Sequence, residues 1–143
     1  MLKIVNPKFN KTEWSGPLGQ HIAREILIIS GYKSPIKPIR KCNMEPDFET
    51  EECVWEIKNG TYLTSGTAHE KIFGVPIKYA EVPIIYKKPL VILCLGRADD
   101  MLSHYNLDNT NIELENTNRW KCIEFFKKMD ISFTSARSLL NIL

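Results

Sequence analysis

The stretch PDFETEECVWEIK, residues 46–58, decides how the rest of the chain is read. Pro46-Asp47 is followed, nine residues after the aspartate, by Glu56-Ile57-Lys58, and residues 53–59 read as an extended strand. Alternate residues of a strand share a face, so Glu56 and Lys58 point together while Trp55 and Ile57 point the other way. If the segment carrying Asp47 pairs with this strand as a hairpin, two carboxylates and one ammonium converge at one sheet end. Two carboxylates, a backbone carbonyl such as that of Ile57, and waters suit Mg²⁺, which usually takes only one or two protein carboxylates. The Lys58 ammonium can orient or help deprotonate a metal-bound water and stabilise charge growing on a phosphorane. Phosphodiester hydrolysis needs this set. The bland alternative is a solvent-facing pattern of cross-strand charges with Asp47 an ordinary turn acid. Against it stand Val54, Trp55 and Ile57, which place the charges in a strand that otherwise reads as core.

Outward from this stretch, Ser15-Gly16-Pro17 has the chemistry of a helix start and Gly31 that of a helix end, which predicts a helix over residues 16–30. Leu18, Ile22, Ile26 and Ile29 form one apolar stripe, and Ala23 and Leu27 widen it, so the helix is expected to be largely buried. Extended pieces follow at residues 35–41, 47–50 and 53–59, then a polar loop over residues 60–66. A helix over residues 67–86 is interrupted by Pro76 and Pro83. LVILCL, residues 90–95, reads as a fully buried central strand. A short helix at residues 99–105 and two amphipathic helices at residues 118–129 and 134–143 close the chain, the last two burying Trp120, Ile123 and Phe126, then Ala136, Leu139 and Leu140. This order gives an α/β fold with a mixed central sheet and C-terminal helices.

At Asp47, Glu56 and Lys58 the chain resembles the PD-(D/E)XK nuclease superfamily, whose restriction-endonuclease-like core runs helix, three strands, helix, strand. The resemblance covers residues 15–97. Within it, GTAHEKIFGVPIKYAEVPIIYKKPLVILCL, residues 66–95, is similar to small restriction-type endonucleases of phage and large DNA viruses. The resemblance implies that Asp47 and Glu56 are metal ligands, that Lys58 is the catalytic lysine, and that Mg²⁺ is the cofactor, with Mn²⁺ able to substitute. Members often carry a further acidic residue on the first helix. Here the matching position reads Leu18-Gly19-Gln20, so Gln20 occupies it, and Glu25 is the other candidate; periodicity does not choose between them. Glu25 reads equally as a surface i,i+4 partner of His21.

Thr64, Ser65 and Thr67 offer hydroxyls and amides at the start of the next helix, suited either to a phosphate oxygen or to an ordinary N-cap. His69 and Lys71 follow as DNA-backbone candidates or as parts of a solvated helical face. Arg97, Arg119 and Arg137 are further candidates, because arginine is the commonest reader of guanine.

With 143 residues, 43% of them hydrophobic and 25% charged, the chain is long and apolar enough for one domain, residues 1–143, and too apolar for disorder. Four scattered cysteines support neither a zinc module nor a redox pair. Without a signal-peptide pattern or a membrane-length apolar run, an intracellular, non-membrane protein is expected. The net charge of +2 hides a cancellation: residues 1–41 carry +6, 42–58 carry −5, 59–98 carry +3 and 99–143 carry −2. An acidic knot between basic segments is expected where metal-binding carboxylates sit beside a polyanion. The reading that follows is a Mg²⁺-dependent endonuclease of double-stranded DNA. Cutting both strands requires two sites, so a homodimer reading a short palindrome is expected. The alternatives are a resolvase of branched DNA and a catalytically silent nucleic-acid-binding module on the same fold.

Overall fold

The computed structural model describes residues 16–59 and 70–141. Its elements run α1 (Gly16–Ile29), β1 (Phe48–Glu49), β2 (Val54–Lys58), α2 (Val75–Lys78), α3 (Val82–Tyr86), β3 (Leu90–Cys94), α4 (Arg97–Tyr105), a 3-10 turn (Ile112–Leu114), α5 (Asn118–Lys128), β4 (Ile131–Ser135) and α6 (Ala136–Leu140). The expected α/β fold with a mixed sheet is present. The strands lie in the order β1-β2-β3-β4, with β1 antiparallel to β2 and the other neighbours parallel.

Strand alternation divides the core into two layers. Val54, Leu90, Ile92, Cys94, Ile131 and Phe133 face the layer that holds Val75, Val82, Ala98, Leu102 and Ile123 of the crossover helices. Trp55, Ile57 and Leu93 face the other way, onto Ala23 and Leu27 of α1 and Ala136 and Leu139 of α6. β3 sits in the middle with a parallel neighbour on each side, which is why its five residues carry no polar side chain.

α1 ends as its sequence dictates. The amides of Gly31 and Tyr32 donate to the carbonyls of Ile28 and Leu27, both at 3.0 Å, with Gly31 at φ +96°, so a left-handed glycine closes the helix. Its buried face differs from the expected stripe. Gly19, Ala23 and Leu27 form the buried line, Leu18, Ile22 and Ile26 flank it, and Ile29 is 66% exposed. Small residues at i and i+4 let the helix lie close on β2; an isoleucine line would hold it away.

Two further expectations are corrected. Residues 35–41 do not form a strand: Ile36 bridges antiparallel to Glu49 and Lys41 bridges locally to Met44, and no ladder joins them, because Pro35 and Pro38 lack the amide that would extend it. A helix does not begin at residue 134. Residues 131–135, ISFTS, alternate buried and half-buried as β4, and Ser135 then caps α6 by accepting from the Ser138 amide at 3.0 Å. Pro76 and Pro83 each fall in the first turn of a new helix, where no amide bond is lost, so the segment breaks into short helices.

Ile92→Ala, at the centre of the sheet, is expected to cost about 2–5 kcal/mol in urea denaturation. Ile84→Ala, on an exposed face of α3, is expected to cost under about 0.5 kcal/mol. Equal losses at the two positions would contradict this assignment of the core.

Candidate active site

Asp47, Glu56 and Lys58 meet where β1 stops. The Asp47 amide donates to the Trp55 carbonyl at 3.0 Å, while the register partner of Trp55 is Phe48. Two residues thus face one, a β-bulge that re-aims the Asp47 side chain. The chain before Asp47 cannot continue the pairing, since Pro46 has no amide to offer. The Asp47 side chain takes over that role: its Oδ2 accepts from the Ile57 amide at 2.7 Å. Its Oδ1 accepts from Gln20 Nε2 of α1, also at 2.7 Å. A single carboxylate therefore ties the first helix to the second strand.

Glu56 and Lys58 share a face of β2, as the period of two requires, and Lys58 Nζ stands 2.9 Å from Glu56 Oε1. Glu56 is 5% exposed. Its Oε2 is buried and has no hydrogen-bond partner. A bare anionic oxygen in a dry place is costly, and it calls for a proton or a cation. The titration behaviour agrees. Burial, then the negative charge of Asp47, push the Glu56 carboxyl up to about 7, against the opposing pull of Lys58. Burial also raises Asp47, offset first by the bond from the Ile57 amide, then by the charge of Lys58 and the bond from Gln20. Tyr79, buried between α2 and α3, is raised by its own burial first and then by the charge of Glu56, and Lys78 sits over its ring at 5.3 Å. Sequence reasoning did not single out Tyr79 or Lys78; nothing in their spacing marks them.

Gln20 and Glu25 are separated by the structure. Five residues turn a helix by about 500°, so the two side chains point about 140° apart. Gln20 faces Asp47, and the Glu25 carboxylate lies 3.9 Å from Arg24 with both side chains nearly half exposed. Lys71 is exposed on a helical stretch, residues 70–73. Thr64, Ser65, Thr67 and His69 lie outside the described residues. Arg119 is stacked over Tyr105 at 4.9 Å, and Arg137 pairs with Asp99 and Asp100 at 3.5 and 3.6 Å.

Among the described residues no group of three or more His, Cys, Asp or Glu side chains gathers as a metal cage. The acidic donors here are two carboxylates. The Ile57 carbonyl belongs with them: in a strand a residue's N–H and C=O point to the same side, and the Ile57 N–H points at Asp47. No helix among the described residues is long and apolar enough to cross a membrane. Comparison with protein-family models, with curated proteins and with solved structures returns no match.

The sign of the pH dependence follows. A carboxyl whose folded pKa is raised from 4.5 to about 7 stabilises the fold below pH 4.5, and that contribution is lost as pH rises through about 7. The metal-free protein is therefore expected to lose on the order of 3 kcal/mol between pH 4.5 and 8 from this group. Glu56→Gln should flatten the slope in urea titrations across that window. A slope unchanged by the substitution would show that Glu56 is not its source.

Proposed function

We propose that the chain is a divalent-cation-dependent endonuclease that hydrolyses phosphodiester bonds of duplex DNA. The observation that carries the reading is the orphaned, buried Glu56 Oε2 beside Asp47, with Lys58 2.9 Å from the other Glu56 oxygen. Support also comes from the order of elements. α1 is followed by the antiparallel pair β1 and β2, then by helices and β3, which follows part of the order of a restriction-endonuclease-like core, with an isolated bridge at Ile36 where that core has its first strand.

In this reading Asp47, Glu56 and the Ile57 carbonyl would hold Mg²⁺, or Mn²⁺ in its place. These hard oxygen donors fit such an ion, and Glu56 Oε2 gains the partner it lacks. When bound, the cation polarises a phosphoryl oxygen and lowers the pKa of water. Lys58 orients the attacking water and stabilises negative charge gathering at phosphorus. Gln20 is neutral and donates to Asp47, so its part is to hold that carboxylate in place. Two copies are required to cut both strands, which favours a homodimer acting within cells on a twofold-symmetric site.

Incubation of the purified protein with plasmid and phage DNA in Mg²⁺, followed by end-mapping, is expected to give discrete fragments. Structure-dependent cutting of a four-way junction in place of linear duplex would redirect the reading to a resolvase. Lys58→Ala is expected to lower the cleavage rate about 10²–10⁴-fold while leaving DNA affinity nearly intact. Undiminished cleavage by this variant would sink the mechanism. Without metal, DNA binding should be weak and fall steeply with salt, and Ca²⁺ or Mg²⁺ should tighten it. A gel-shift titration that is indifferent to both salt and metal would contradict the electrostatic argument.

A further inference from the structure

The residue after Lys58 is placed with unusual closeness. Lys58 O accepts from the Leu95 amide at 2.8 Å, so the ladder between β2 and β3 continues one step past the strands. The Asn59 carbonyl lies 3.1 Å from where a Cβ on Gly96 would stand, and Gly96 itself has φ +55° and ψ −125°, a conformation side chains avoid. The main chain of Asn59 is thus fixed against the start of α4. Its side chain lies against α1. A Cβ on Gly19 would collide with Asn59 Nδ2 and stand 2.9 Å from its Cγ and 3.1 Å from its Cβ. At this level the space between helix and strand is filled by the Asn59 amide lying on bare glycine.

Gly19 is followed directly by Gln20, and Asn59 stands two residues after Ile57; these are the two residues that grip opposite oxygens of Asp47, each at 2.7 Å. One carboxylate can accept from both only if α1 and β2 keep one separation. Deepening the nuclease reading, on which it rests, we infer that Asn59 is a positioning residue: its side chain, seated on Gly19, sets the distance of α1 from the end of β2 and so the Gln20–Asp47 bond. The residue acts through Gln20 and Asp47 and does not touch the reacting atoms. A methyl group on Gly19 must either lift α1 or swing the Asn59 amide away. A hydrogen bond of 2.7 Å is lost once its atoms separate beyond about 3.5 Å, so a shift under about 1 Å is enough.

The test uses the full chain and two readouts. The side-chain amide pair of Gln20, assigned in ¹⁵N spectra by its loss in Gln20→Ala, is expected at shifts set by its carboxylate acceptor. Gly19→Ala and Asn59→Ala should each move it toward the position of a free glutamine. In Mg²⁺ each should lower kcat at least tenfold with KM for DNA changed less than twofold. The double variant removes the colliding amide and leaves two methyl groups 3.1 Å apart, a contact that a shift of about a few tenths of an ångström relieves, so it should recover most of what Gly19→Ala loses. Should Gly19→Ala fail to fold, Asn59→Ala decides alone. An unmoved Gln20 signal in Asn59→Ala, or losses that simply add in a folded double variant, would overturn the inference. The amide signal needs no cleavage, so a wild-type chain that leaves DNA intact would sink the nuclease reading while this spectrum still tests the clamp.

Discussion

The structure depends on one awkward object, a carboxylate with one oxygen paired and the other bare, set in a strand that is otherwise core. Glu56 has the parallel strand β3 on one side and lies beyond the end of β1 on the other, where the Asp47 side chain takes the edge of β2, and Val54 shares its face of the strand. An apolar residue at this position would be easier to bury, since removing a charge from water costs several kcal/mol even after relaxation. Lys58 offsets part of that cost and Asp47 adds to it. Everything near the site then reads as a way of keeping these groups together. β1 is cut short by Pro46, the open edge of β2 is closed by the Asp47 side chain instead of by another strand, and α1 supplies a neutral donor in place of another charge.

The neighbouring elements share this logic of short pairings held by side chains. Lys88 reaches back from before β3 to Glu49 at 2.8 Å and to the Thr50 carbonyl at 2.9 Å. Thr50, buried, accepts from the Trp55 indole at 3.1 Å. The Tyr86 hydroxyl donates to the Ile39 carbonyl at 2.6 Å. Two residues of β1 make too small a ladder to hold an edge alone, and these polar ties from β2, α3 and the turn after it fix the approach to Asp47.

How much of this was legible in the sequence depends on the range of the physics involved. The shared face of Glu56 and Lys58 follows from the period of a strand, and the burial of residues 90–94 follows from an unbroken apolar run. The Gly31 stop and the breaks at Pro76 and Pro83 follow from local chemistry. β4 was legible too, in the alternation of ISFTS, but its serines and threonine also suit a helix start, and Ser135 does serve as one. The choice of Gln20 over Glu25 was not legible, because it depends on which side of α1 meets the sheet. That side was set by Gly19 and Ala23, whose smallness is a packing signal visible only once the partner surface is known. Asn59 was hidden for the same reason: a polar residue after a strand looks like the start of a loop.

The acidic segment looks different in three dimensions. Of its six acids, Glu45 pairs with Lys37 at 2.7 Å and Glu49 with Lys88, while Glu51 and Glu52 are exposed in a turn. The segment's net of −5 therefore never acts at one point. What acts at the site is Asp47 and Glu56 against Lys58, a local excess of one negative charge when both carboxylates are ionised. That is small enough to be buried and of the sign that repels phosphate. In the proposed reaction a divalent cation would turn this excess from −1 to +1, so a single binding event would both satisfy Glu56 Oε2 and reverse the field that an approaching phosphodiester meets. The basic segments bring a polyanion near; the buried pair decides, through the cation, whether it is accepted.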